Sequence, residues 1–168
     1  ATHADQALSL INKPTVEEKN ILSIFKYSKN LAVLHSDEKH MPERKLSWSS
    51  WNFINSGESD NFSLTYWMNK LQNLQSKKNY FVTINPSKLP KNIIDQTTFE
   101  HPIFSLETLK AQKELYKIQG KKNTYFCGSY FGYGFHEDGI QSAANICKYL
   151  DVDVPWKRNK NFISRVKS

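Results

Sequence analysis

Alternation of apolar and polar side chains is clearest from Asn61 to Met68, the period of a half-buried strand. The stretch before it, Ser47 to Ile54, has the aromatic composition of a second strand. Asn55-Ser56-Gly57 is a turn signal between the two, which predicts a hairpin. Asn30 to His35 and Tyr80 to Ile84 are shorter strand candidates, the latter closed by Asn85-Pro86. Ile93 to Phe104 is mostly extended, with Pro102 demoting its end to an edge.

Elsewhere the apolar residues recur at helical spacing. Ala4 to Ile11 is a short helix candidate. A second begins at Thr15 as N-cap, with Glu17 and Glu18 in its first turn and Ile21, Leu22 and Phe25 on one face. Ser105 caps a third over Leu106 to Gln119, with Glu107 in its first turn, Leu109, Leu115 and Tyr116 as apolar positions, and Gly120 just past its end. In the last, Gly139 to Leu150, the residues Ile140, Ala143, Ala144, Cys147 and Leu150 fall on one stripe. Thr124 to Cys127 reads as a short strand before it. The polar, proline-containing run Ser36 to Lys45 reads as a loop, and Lys70 to Lys77 as a helical turn or loop. Helices, then antiparallel-style strands, then helix–strand–helix make an α+β layout with a mixed or antiparallel sheet.

Composition narrows this picture only a little. A chain of 168 residues with 39% hydrophobic and 13% aromatic residues can bury a core as one domain or a large piece of one. Net charge is +7, which admits anionic partners. The lysines are spread along the chain rather than gathered in a stripe, so the reading is a solvated basic surface and no nucleic acid. Cys127 and Cys147 suggest no disulfide scaffold, and a cytoplasmic location is the default. The five histidines show no metal-ligand spacing, so no metal site is expected.

Candidate chemistry concentrates in one place. Five of the six glycines fall between Gly120 and Gly139. They separate the strand candidate ending at Cys127 from the last helix. Gly132-Tyr133-Gly134 followed by Gly139 lacks the spacing of a dinucleotide fingerprint, no P-loop occurs, and His136-Glu137 has no second histidine four residues on. Two readings remain: a tight connection with packing glycines, or a helix N-terminus whose free N–H groups and partial positive charge face a ligand. Glu137 and Asp138 would oppose a pyrophosphate there, so a neutral or weakly anionic acceptor such as a flavin carbonyl suits that end better.

Phe126-Cys127-Gly128-Ser129 followed by Gly134-Phe135-His136-Glu137-Asp138-Gly139-Ile140-Gln141-Ser142-Ala143 resembles the C-terminal FAD-binding segment of the flavin-containing amine oxidase family. Gly134, Phe135, Glu137 and Ser142 match that pattern; Asp138, Gly139 and Ala143 depart from its usual Gly, Ala and Gly. A bacterial subgroup of predicted NAD/FAD-binding proteins is similar across nearly the whole chain. The shared stretches include Ala1 to Leu8, Val33 to Asp37 with Met41-Pro42, Trp48 to Asn52, Thr65 to Asn69, Phe81 to Pro86 and Glu100-His101-Pro102.

The resemblance implies a C-terminal part whose N-terminal Rossmann half, with the glycine fingerprint, lies in the same or a separate chain. It implies a substrate-domain-like region over residues 1–120, the C-terminal FAD-binding strand–loop–helix over 121–152, and a basic tail over 153–168. FAD contacts carry over to Gly128, Ser129, Gly134, His136, Glu137, Asp138 and Gly139. The implied function is a flavoprotein oxidoreductase, with amine oxidase- or desaturase-like hydride transfer to FAD from a small, apolar substrate. The incomplete site predicts inactivity without the N-terminal half. The lysine that holds a water near flavin N5 in amine oxidases has no matching motif here. The other reading is a non-catalytic remnant or interaction module that binds no cofactor alone. Aromatic segments Trp48 to Phe53 and Tyr66-Trp67 are candidates either for a substrate cavity or for sheet core. The tail is either solvated or in contact with an acidic membrane surface.

Overall fold

The computed structural model describes residues 1–55 and 62–156. The turn expected at 55–57 falls mainly outside the described residues, as does the basic tail beyond Trp156. The elements, in order, are α1 (Ala4–Leu10), α2 (Val16–Leu22), β1 (Lys26–His35), β2 (Trp51–Asn55), β3 (Phe62–Trp67), α3 (Met68–Leu71), β4 (Phe81–Ile84), β5 (Ile93–Ile103), α4 (Leu106–Gln112) and α5 (His136–Tyr149). Helices together with a five-stranded antiparallel sheet make the fold α+β. Contacts divide the chain into two units. Ser28–His101 forms one, and Ala1–Tyr27 with the chain from Pro102 onward forms the other. The division therefore runs through β1 and β5, and not at residue 120.

In the unit Ser28–His101 the strand order is β2-β3-β4-β1-β5. The predicted hairpin forms, with Trp51 opposite Tyr66 and Phe53 opposite Leu64. Pairing of β3 with β4 and of β4 with β1 sets Thr65 opposite Thr83 and His35 opposite Phe81. Side chains alternate across a pleated sheet, so these registers define two faces. One carries Val33, His35, Phe81, Thr83, Thr65, Trp67 and Asn52. The other carries Ala32, Leu34, Val82, Ile84, Leu64, Tyr66, Trp51 and Phe53.

The face with more polar side chains is the better covered. Met41 and Trp48, from the irregular chain between β1 and β2, pack with Phe81 and Trp67. On the apolar face Trp51 and Phe53 remain 61% and 60% exposed. The segment read as a polar loop is thus a cover, built from two 3₁₀ turns, Glu38–His40 and Lys45–Ser47. Irregular backbone brings polar groups that must be bonded when buried. From the sheet, the Asn52 side chain accepts from the Ser49 amide (3.0 Å) and donates to the Ser49 carbonyl (2.9 Å); within the segment, the Trp48 indole donates to the Pro42 carbonyl (2.8 Å). Trp48 and Trp67, candidates for a cavity lining, meet edge to face in this cluster.

In the other unit, Ala4, Leu22, Phe25, Ala111, Leu115, Ile118, Phe126, Tyr130 and Phe131 form the core. The N-cap predicted at Thr15 is present and is part of a capping box: its hydroxyl accepts from the Glu18 amide and the Glu18 carboxylate accepts from the Thr15 amide. The helix expected over 106–119 stops at Gln112. The chain continues as a 3₁₀ turn over Leu115–Ile118, which turns Leu115 and Ile118 into the core and leaves Tyr116 outside.

Thr124–Cys127, expected as a strand, joins no sheet. It is held extended by a side chain instead. The Gln119 carboxamide accepts from the Phe126 amide (2.9 Å) and donates to the Phe126 carbonyl (2.8 Å), as a neighbouring peptide group in a ladder would.

Candidate functional site

The glycine-rich connection runs from Gly128 to Phe135 and is fixed by polar side chains on the elements around it. From α5, the Ser142 hydroxyl accepts from the Gly128 amide at 2.9 Å and also lies within hydrogen-bond distance of the Gly128 and Gly139 carbonyls. From α4, the Gln112 carboxamide donates to the carbonyls of Tyr130 (3.1 Å) and Gly132 (2.6 Å). Asp138, fully buried, accepts through Oδ2 from the amides of Tyr133 (3.0 Å) and Phe135 (2.9 Å). Its Oδ1 has no hydrogen-bond partner among the described residues and lies against Gly132.

Two glycines are required here by close approach. A side-chain carbon at Gly128 would come within 2.5 Å of the Thr2 carbonyl oxygen. One at Gly132 would come within 2.4 Å of Asp138 Oδ1. Neither leaves room for a methyl group.

The burial of α5 differs from its apolar stripe. Asp138, Gln141, Ser142 and Ala144 are buried, whereas Ile140 is 49% and Leu150 52% exposed. The physical reason matches that for the sheet cover. The helix packs against a connection rich in backbone polar groups, and side chains that can bond those groups face it.

The N-terminal end of α5 borders a hollow of about 530 Å³. Ser129, Phe135, His136, Gly139, Ile140 and Ala143 line it from the connection and the helix, with Thr2, His3 and Gln6 on another side. The His3 ring stacks flat on Tyr27, centroids 4.1 Å apart and planes at 8°, while the Tyr27 hydroxyl accepts from the Ala4 amide. Phe135, the N-cap residue, supplies no side-chain cap. Consequently the amides of His136 and Glu137, and both the amide and hydroxyl of Ser129, have no hydrogen-bond partner among the described residues. Ser129 and His136 bring such donors to the lining of the hollow, beside apolar surface from Phe135, Ile140 and Ala143. Among the described residues, no lysine or arginine lines it.

Of the seven residues the family pattern points to, Ser129, His136 and Gly139 border this hollow. Gly128 and Asp138 are buried behind it and shape the connection. Gly134 turns the chain with φ of +89°, donating to the Ser129 carbonyl and packing on Pro102 and Phe104. Glu137 is exposed and accepts from the Gln141 side chain (2.9 Å). His3, Gln6, Phe135, Ile140 and Ala143 also line the hollow, and the sequence pattern does not single them out as contacts; the signal for His3 and Gln6 is the Ala1 to Leu8 stretch.

A second polar cluster lies in the sheet unit. His35, fully buried, receives the Asp37 amide on Nδ1 at 3.1 Å, so the neutral ring carries its proton on Nε2. That nitrogen donates to Thr83 Oγ1 (2.8 Å), which shares a further bond with Thr65 Oγ1 (2.9 Å). The His40 ring stands edge-on to His35 at 5.1 Å. Burial first, and then the neighbouring His40, lower the His35 pKa to about 4, opposed by the Asp37 carboxylate. No group of three or more His, Cys, Asp or Glu among the described residues could hold a metal ion. No described helix is long and apolar enough to cross a membrane.

Comparison of the chain with models of protein families and with curated proteins gave no match.

Proposed function

We propose that the hollow at the N-terminal end of α5 receives the ring edge of FAD, and that the chain is the C-terminal part of an FAD-dependent oxidoreductase. The observation that carries this reading is a coincidence of two independent features. The residues Ser129, His136 and Gly139, picked by sequence pattern, border one hollow, and apolar residues Phe135, Ile140 and Ala143 border it with them. Such a lining suits a planar ring with a carbonyl edge. It suits a pyrophosphate less well, because no lysine or arginine among the described residues lines it and Glu137 stands beside the helix end. This agrees with a phosphate cradle supplied by a Rossmann half outside these 168 residues.

FAD bound there would supply the hydride acceptor for an apolar substrate. The chain's own residues would orient and protect it. The free amides of His136 and Glu137 and the positive end of α5 favour negative charge on whatever acceptor stands over them. Phe135, Ile140 and Ala143 exclude water from the ring plane. Ser142, Gln112 and Asp138 act one layer back by holding the connection that carries Ser129.

The test is co-expression with a complementary Rossmann half. The expected result is a yellow complex, with Ala143→Trp, which fills the hollow without touching the clamps, lowering flavin affinity at least about 10-fold at unchanged helical content. A colourless complex with both halves folded overturns the proposal, as does flavin binding indifferent to Ala143→Trp.

A further inference from the structure

The polar cluster around His35 has no part in the proposed flavin site, and its geometry is that of a latch. We propose that the neutral His35 ring holds the segment 36–50 onto the sheet, and that protonation of this ring releases the segment and uncovers the Phe81–Trp67 face.

The argument rests on which groups His35 touches. Its Nε2–H is spent on Thr83, inside the sheet, and its Nδ1 lone pair on the Asp37 amide, the first turn of the segment. A proton added at Nδ1 would face the Asp37 N–H, two donors against each other at hydrogen-bond distance. No water shields them, because the ring is fully buried. From the segment itself the titratable groups facing His35 are His40, whose ring lies edge-on, and Asp37. The Asp37 carboxylate cannot turn to the ring freely, since Oδ1 accepts from the Lys39 amide and Oδ2 from the Lys91 amide. From β4 and β3 the neighbours are Phe81, Thr83 and Thr65, none of which titrates near neutrality. Glu38 and Lys45, further out on the segment, pair with each other at 2.9 Å. His40 is itself lowered by burial and adds a like charge once protonated.

Release uncovers a defined surface. Met41 and Trp48 leave with the segment, and both pack on Phe81. The Asn52 side chain, which bonds both Ser49 and the Thr65 carbonyl, is the far hinge of the same cover.

The sign follows from linkage. The base is harder to protonate when latched, from 6.5 to about 4, so the open form binds the proton better. Latching is unaffected well above pH ~6.5, weakens as pH falls from there through about 4, and levels off about one pH unit lower. The opening equilibrium tends to a limit roughly 300-fold higher, the ratio that 2.5 pH units represent.

The test is hydrogen exchange on the full chain between pH 7 and 4, corrected for intrinsic rates. Amides of residues 37–41 and 81–83 are expected to lose protection first, while α5 keeps its own. His35→Gln can accept from Asp37 and donate to Thr83 but cannot titrate. Its protection is expected to stay flat over the same range, with His40→Gln shifting the midpoint only. Equal pH dependence in wild type and His35→Gln overturns the proposal. If His35→Gln fails to fold, the wild-type imidazole titration followed by NMR decides. A midpoint at or below 5, with protection falling as pH drops from about 6.5 toward it, supports the latch, and a midpoint near 6.5 overturns it.

Discussion

Asp138 and Gly132 offer a quantitative test of how the glycine-rich connection is held. Replacing Asp138 with Ala removes a charged acceptor from two amides, at 3.0 and 2.9 Å. Hydrogen bonds to a charged group contribute about 1.5–3 kcal/mol each. Both amides are partly accessible to water once the carboxylate is gone, so the expected cost is about 3 kcal/mol. Gly132→Ala acts on the same pair from the other side. The penalty considered is the steric one of the added methyl. The new methyl would stand 2.4 Å from Asp138 Oδ1 and 2.5 Å from Cγ. Overpacking of this kind costs about 1–3 kcal/mol.

The two changes are then not additive. In the Asp138→Ala background the carboxylate is absent, and the nearest remaining atom of that residue, Cβ, is 2.8 Å away. Gly132→Ala should cost about 1 kcal/mol there instead of about 2–3, a coupling of about 1–2 kcal/mol. Urea unfolding followed by far-UV circular dichroism measures it, because the signal comes largely from the helices of this unit. Costs that add to within about 0.5 kcal/mol would refute the packing of Gly132 on the carboxylate.

Gln119→Ala bares both polar groups of the Phe126 peptide and should cost about 2 kcal/mol in the same assay, with faster exchange at the Phe126 amide. Thr15→Ala removes half of a capping box and should cost about 1 kcal/mol, recovered largely by Thr15→Ser. Tyr130→Phe runs the other way. The Tyr130 hydroxyl is buried without a partner among the described residues, so its removal should be neutral or stabilising by up to ~1 kcal/mol in thermal unfolding. Burial also raises the pKa of that phenol, so absorbance titration should find it un-ionised at the pH where exposed tyrosines titrate.

The strands of the sheet were legible because their signal is local. Alternation from Phe62 to Trp67 and the turn residues after Ile54 specify a hairpin without reference to anything distant. The N-cap at Thr15 was legible for the same reason. What escaped is which face each element buries. Hydrophobic periodicity assigns the apolar side to the interior, and it does so correctly when one regular surface meets another. Here α5 meets the 128–135 connection, and the sheet meets the 36–50 segment. An irregular backbone offers unpaired amides and carbonyls, so Asp138 and Ser142 in one case, and His35 and Asn52 in the other, are the side chains that fit. The pattern of the candidate site was legible in Ser129, His136 and Gly139. The hollow was not, because part of its wall comes from Thr2, His3 and Gln6, more than a hundred residues away in sequence.

The Gln119 carboxamide, standing in for a strand neighbour, also sets a chemical clock. It is followed by Gly120, which has no side chain to hinder attack on the amide. Hydrolysis to a carboxylate would leave the acceptor for the Phe126 amide but turn the donor facing the Phe126 carbonyl into a second acceptor. One contact would survive and the other would become repulsive. Ageing of the purified chain at mildly alkaline pH should then loosen Thr124–Cys127, and with it the entry to Gly128, before any other part of that unit. A mass gain of about one dalton would accompany the change.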